Sequence, residues 1–196
     1  MASAKPRAVK GVVLFPGAGS SADHPSLIAI EEALSPLPVA RIDFPYRRAG
    51  KRAPDRAPIL MQCVRDEVEA FAKNLGVRTN QVAIGGRSMG GRMCSMVAAD
   101  DVDPLKVAGL VLISYPLHPP GKPEKLRTEH LSRISVPTLC VSGTKDTFGT
   151  PDELLLHMKA VPAPLTWEWM DKKGHDLKGC DGAIATTVAN WVRPRG

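Results

Sequence analysis

Short runs of branched apolar residues alternate along the chain with stretches whose apolar positions recur every three or four residues. The runs Lys10 to Phe15 (KGVVLF), Val39 to Phe44, Gln81 to Gly85, Val107 to Ile113, Val136 to Ser142 and Leu165 to Met170 predict six strands. Between them the period lengthens to that of a helix. Leu27, Ile28, Ile30, Ala33 and Leu34 form one apolar face after the cap and proline of Asp23-His24-Pro25. Leu60, Val64, Val68, Phe71 and Leu75 form another over Ile59 to Leu75, stopped by Gly76. Met93, Met96 and Val97 suit a helix ending near Asp100-Asp101-Val102-Asp103-Pro104, and a short helix is expected around Glu124 to Leu131. Thr150-Pro151-Asp152-Glu153 spells a capping box with proline at the first helical position, followed by Leu154, Leu155 and Met158. Ile184, Val188, Trp191 and Val192 mark a final helix.

Strands alternating with helices call for an α/β fold, a mostly parallel sheet of about six strands with helices on both faces. Such sheets bind ligands outside the carboxyl ends of their strands. The irregular stretches that fall there are Pro16 to Ser21, Pro45 to Pro58, Ser114 to Gly121, Gly143 to Asp146 and Asp171 to His175. The second holds Arg47, Arg48, Lys51, Arg52 and Arg56 among three prolines and a glycine, which predicts a basic loop without regular helix.

A length of 196 residues, 43% of them apolar, fits one domain over residues 1–196 with a sizeable core. No internal repeat or linker divides it. The formal charge of +6 raises the question of nucleic acid. Its excess is spread over Lys5, Arg7 and Lys10, over Arg193 and Arg195, and over Arg41 to Arg56, where Phe44 and Tyr46 are the only aromatics. That distribution lacks the interleaved pattern of a nucleic-acid surface, so no nucleic-acid partner is expected. The four cysteines, Cys63, Cys94, Cys140 and Cys180, are dispersed without a C-x-x-C pair and three lie in apolar runs. Buried reduced thiols and a cytoplasmic setting are expected. The start, Met-Ala-Ser-Ala-Lys-Pro-Arg, has no apolar signal region, and no run approaches the roughly 18 apolar residues of a membrane span.

The chemistry centres on Gly86-Arg87-Ser88-Met89-Gly90, which fits the G-x-S-x-G nucleophile elbow, a serine on a tight strand-to-helix turn. A serine hydroxyl needs a neighbouring base, and the base needs an acid to fix its tautomer. The chain order of such hydrolases is Ser, then Asp or Glu, then His. Here Ser88 follows the third predicted strand, Asp146 the fifth and His175 the sixth. Among the other histidines, His157 and His130 fall in or near predicted helices and His24 precedes Ser88. Asp171 and Asp176 stand too near His175 in sequence to serve as its acid. Oxyanion donors are expected from the backbone N–H of Met89 and from the loop after the first strand, at Ala18 in preference to Gly17. Arg47 and Arg48 are candidates for binding an anionic substrate group. Tyr115 and His118 are candidates for the mouth of the pocket, and Arg87 and Arg92 for pairing with Asp43 or Asp66. No histidine or carboxylate cluster has metal-ligand spacing, and neither metal nor cofactor is implied.

Phe44-Pro45-Tyr46-Arg47-Arg48, Gly85 to Gly90, Ile113 to His118 and Val141 to Asp146 together resemble the α/β-hydrolase superfamily. More narrowly they are similar to its small dienelactone-hydrolase-like branch, which takes in compact bacterial hydrolases and related animal proteins, among them the testis-expressed group and a subunit of a histone-acetylating complex. The similarity runs from Gly11 to Trp191. It implies an α/β-hydrolase core with Ser88, Asp146 and His175 at the triad positions. Ser88 stands where dienelactone hydrolases carry cysteine, and Pro16 where many lipases and esterases have histidine before glycine. The connection from Ser114 to Val136 is too short for a large lid. The expectation is a serine hydrolase, a carboxylesterase for small-molecule esters; a thioesterase, a peptidase and a non-catalytic interaction protein on the same fold are its alternatives.

Overall fold

The computed structural model describes residues 9–193. The polar start with Lys5 and Arg7, and Arg195 at the other end, lie outside them. Among the described residues six strands form one wholly parallel sheet: β1 Gly11–Phe15, β2 Val39–Arg41, β3 Val82–Arg87, β4 Gly109–Ile113, β5 Thr138–Gly143 and β6 Leu165–Met170. The spatial order is β2-β1-β3-β4-β5-β6. The helices are α1 Pro25–Leu34, α2 Pro45–Arg48, α3 Ala57–Asn74, α4 Met89–Ala98, α5 Pro151–Met158 and α6 Asp181–Val192.

Side-chain alternation along the strands divides the core in two. Val13 and Phe15 of β1, Ile84 of β3 and Leu112 of β4 meet α3, α4 and α5 through Leu60, Val64, Val68, Met93, Val97 and Leu154. Val12, Leu14, Ala83, Val111 and Ile113 meet α1 and α6 on the other face, through Leu27, Ile30, Ile184 and Val188. Both layers are closed by elements from distant parts of the chain, so the sheet's carboxyl edge is held on both faces. All four cysteines are buried and unpaired. Burial pushes the thiols of Cys63 and Cys140 up to about 11 and 12.

Three expectations are corrected. The stretch from Pro45 to Pro58 is not wholly irregular: Pro45 opens α2 and Pro58 lies in the first turn of α3. At those positions a missing N–H costs nothing, because it would have no helical partner. The second strand stops at Arg41, since β1 turns away at Pro16 and Ile42 N–H to Leu14 O, at 2.9 Å, is its last rung. No helix spans Glu124 to Leu131. Arg127 N–H donates to Leu117 O at 2.8 Å and Tyr115 Oη–H donates to Arg127 O at 2.8 Å, which ties that segment across the loop, and only a 3₁₀ turn forms at Leu131–Arg133.

His130 lies under this loop, 5% exposed, with Nε2 2.8 Å from Ser95 Oγ. Ser95 Oγ–H donates to Arg92 O at 2.8 Å, so its lone pair accepts from His130 Nε2–H. Burial, then the nearby Arg92 charge, lowers its pKa from 6.5 to about 4. Between those values the unfolded chain binds a proton that the folded chain refuses, so stability falls as pH drops from 6.5 toward 4. Denaturant titrations of the wild type and His130→Asn at neutral pH and near pH 4.5 are expected to show the stability gap narrowing on acidification; a constant gap contradicts the buried neutral ring.

Candidate active site

The end of β3 is built from backbone contact. A Cβ placed on Gly86 would lie 1.9 Å from Phe15 O, and one on Gly90 would lie 2.3 Å from the same oxygen and 2.6 Å from Pro16 O. Only glycine admits such an approach, so the first turn of α4 seats directly on the end of β1. The residue between them, Ser88, is forced to φ 47°, ψ −115°, a conformation costly for a residue with a Cβ. Ser88 N–H donates to Ile113 O at 2.8 Å, and Ser88 O accepts the first α4 bond from Arg92 N–H at 3.0 Å. The side chain is thereby lifted above the sheet edge.

His175 Nε2 lies 2.8 Å from Ser88 Oγ. His175 Nδ1 lies 3.0 and 2.9 Å from the two carboxylate oxygens of Asp146. A carboxylate accepts only, so Nδ1 carries the hydrogen and Nε2 is left as the acceptor for the serine hydroxyl. Asp146 is 1% exposed, and its Oδ1 also accepts from Phe148 N–H at 2.8 Å. The Phe148 ring stacks on His175 with centroids 3.8 Å apart. The loop after β5 and the loop after β6 are locked together by Lys145 N–H to Lys173 O at 2.8 Å and Lys172 N–H to Thr144 Oγ1 at 2.8 Å.

Arg87, buried beside the serine, donates from Nη2 to Asp176 O at 2.7 Å and from Nη1 toward Ser26 Oγ at 3.4 Å. It therefore ties the end of β3 to the histidine loop, not to Asp43 or Asp66. Asp43 instead accepts from Ala22 N–H, and Asp66 from Gln62. Burial lowers the Arg87 pKa, and Asp181, Asp176 and Asp146 act against that.

A cleft of about 330 Å³ opens at Ser88, walled in part by Ala18, Leu60, Met89, Met93 and Phe148. Met89 is the first residue of α4, where N–H groups have no helical partner. Gly17 sits against the serine, with 3.6 Å between its Cβ direction and Ser88 Cβ. Tyr46 Oη–H donates to Ala18 O at 2.8 Å and fixes the loop. The Met89 and Ala18 N–H groups meet no protein acceptor among the described residues, so both are available to an oxygen beside Ser88.

Four other candidates are placed elsewhere. Tyr115 is 1% exposed, its ring in the core and its hydroxyl on Arg127 O, so it does not line the cleft. His118 is also buried: Nδ1 faces Pro119 O at 2.9 Å, and Nε2 faces Glu153 at 3.6 Å. Its backbone N–H donates to Phe148 O at 3.1 Å and ties its loop to the one that carries Phe148. Arg48 pairs with Glu67 of α3 at 2.5 Å. Neither Arg47 nor Arg48 lines the cleft. The cleft takes its charge from Arg92, Arg127 and Asp55. Sequence reasoning missed Tyr46, Phe148 and Arg127. Phe148, two residues beyond Asp146, was the one with a local signal. Among the described residues no group of three or more His, Cys, Asp or Glu could hold a metal ion, and no helix is long and apolar enough to cross a membrane.

A family model described as an alpha/beta hydrolase domain matches residues 8–193. Solved structures with the same fold include an alpha-beta serine hydrolase homologue from Coxiella burnetii, at TM-score 0.73 and 16% identity, covering 94% of this chain and 87% of that one. A dienelactone hydrolase from Anabaena variabilis gives TM-score 0.71 and 20% identity, covering 95% and 87%. A monoacylglycerol lipase from Paleococcus ferrophilus gives 0.72 and 16%, covering 96% of each chain.

The seating of the elbow on β1 has a direct consequence for stability. Gly86→Ala puts a methyl into a carbonyl oxygen that belongs to a buried strand, and is expected to cost at least roughly 3 kcal/mol or prevent folding. Gly182→Ala in α6, with nothing within 4 Å of the new methyl, is expected to gain about 0.5–1 kcal/mol. Thermal melting of the two variants beside the wild type checks both signs.

Proposed function

The chain belongs to the alpha/beta hydrolase domain family, and we propose that within it the protein is a serine hydrolase, a carboxylesterase acting on small esters. The observation that carries this reading is the unbroken chain from Ser88 Oγ through His175 to Asp146, each link 2.8–3.0 Å. In the reaction, Ser88 Oγ attacks the ester carbonyl carbon while its proton passes to His175 Nε2. Asp146, desolvated and already hydrogen-bonded to Nδ1–H, stabilises the imidazolium that forms. The negative charge moves to the former carbonyl oxygen, where Met89 N–H and Ala18 N–H donate to it. Gly17 N–H is the neighbouring donor on the same loop.

The tetrahedral intermediate collapses by breaking the bond to the leaving oxygen, which takes the proton from His175 Nε2 and departs as alcohol. A water molecule then gives a proton to His175 and attacks the acyl carbon. Return of that proton to Ser88 Oγ frees the acid. The strained backbone at Ser88 supports this role, since it holds Oγ toward the imidazole before substrate arrives and leaves little to reorganise. Phe148 shields one face of the imidazole from water and limits its rotation. The cleft is small and, among the described residues, no large lid covers it, which favours short acyl chains in soluble esters.

Turnover of nitrophenyl butyrate is expected in the wild type. It should fall by at least about a thousandfold in Ser88→Ala and His175→Ala, and by about ten-thousandfold in Asp146→Asn, which leaves the wrong hydrogen on the ring. Circular dichroism is expected to show the fold retained. Undiminished hydrolysis by a folded Ser88→Ala contradicts the proposal.

A further inference from the structure

The cleft at Ser88 holds two guanidinium groups that the protein leaves without an acid. Arg92 stands one helical turn beyond Ser88, on the same face of α4, a spacing that sets side-chain origins about 5–6 Å apart. Arg127 enters from the connection after β4, with its backbone pinned on both sides by Leu117 and Tyr115. Its Nη1 reaches only Pro116 O, at 3.4 Å. The Nε of Arg92 is buried with no hydrogen-bond partner, and no carboxylate forms an ion pair with either arginine among the described residues. Arg41 and Arg65, also partly buried, are paired with acids, Arg41 with Asp23 and Glu31 and Arg65 with Asp100 and Asp103, whereas buried Arg87 is held by the Asp176 carbonyl.

Two like charges brought together in a half-buried cleft repel, and a buried N–H without an acceptor costs free energy. Arg127 registers this directly, its pKa lowered first by burial and then by Arg92. Asp55, the one carboxylate on the wall among the described residues, pairs with neither arginine. The arrangement is complete only when an oxyanion enters, and two planar forks suit a carboxylate. His175 must protonate the leaving alcohol, yet it is not part of the cleft wall. The alcohol therefore departs on the histidine side and the cleft receives the acyl chain.

We infer that Arg92 and Arg127 form an anion subsite for the acyl chain, so that the preferred substrates are monoesters of short dicarboxylic acids. This assignment rests on the hydrolase reading above and names its substrate class. The free carboxylate sits a few bonds from the scissile carbonyl, within one helical turn of Ser88.

The test pairs mono-nitrophenyl glutarate with nitrophenyl pentanoate, whose acyl chains have equal length and differ in the terminal carboxylate. In the wild type, kcat/KM is expected to favour the glutarate ester by roughly tenfold or more, with a ratio that falls as salt is raised. Arg92→Met and Arg127→Met are each expected to lower that ratio, their combination to bring it to about one, and Arg127→Lys to keep part of it. A wild-type ratio of one or less, or a ratio unchanged in the double variant, overturns the subsite. Calorimetric titration of Ser88→Ala with monomethyl glutarate reads the subsite without turnover: binding that disappears when both arginines are replaced supports it, and absence of binding overturns it. A protein that binds monomethyl glutarate but hydrolyses neither ester keeps the subsite and loses the hydrolase reading.

Discussion

The arrangement at the sheet edge depends on one backbone contact, the seating of Gly86 and Gly90 on the carbonyl oxygens that end β1. Those oxygens lie so close that a Cβ on either glycine would overlap them. The contact fixes where β3 stops and where α4 starts, and with no slack between them Ser88 takes a left-handed conformation. The cost of that conformation is met by strands and helices buried on both faces of the sheet. Once the serine is raised in this way, its surroundings follow. Gly17 and Ala18 are beside it because β1 ends there, and Arg92 is beside it because α4 begins there.

The histidine side is an assembly of loops made rigid by cross-bonding. Asp146 is buried and held by Phe148 N–H, and His175 is held between the Asp146 carboxylate and the Phe148 ring. Arg87 then joins that loop to the strand that carries the serine. The side chain next to Ser88 in sequence thus fixes the residue next to His175, across 89 positions of chain. Such bonds keep the serine–imidazole distance short without help from a ligand. Tyr46 does the same for the loop that carries Gly17 and Ala18.

Much of this was legible in the sequence, for a physical reason. Strand and helix alternation forces a parallel sheet, and a parallel sheet gathers every loop that follows a strand at one edge. The placement of Ser88, Asp146 and His175 at one edge required no knowledge of strand order. Prolines were misread because their effect depends on position: Pro45 and Pro58 start helices, although proline inside a helix would break it. Tyr46 and the Arg87 bridge were hidden because each acts through a partner far away in the chain, and nothing local marks such a pairing. The basic stretch drew attention by its density, yet density measures solvated charge. The two arginines that face the serine are single residues, one of them a helical turn beyond it, the other in a loop whose path only the folded chain reveals.

The central claim is that His175 activates a serine held ready by its backbone. The most direct measurement is the rate at which a fluorophosphonate phosphonylates the protein, with the adduct located by peptide mass. A single adduct on Ser88 is expected, formed at least about a thousandfold more slowly in His175→Ala. A wild-type protein without an adduct on Ser88, or an undiminished rate in His175→Ala, would contradict it.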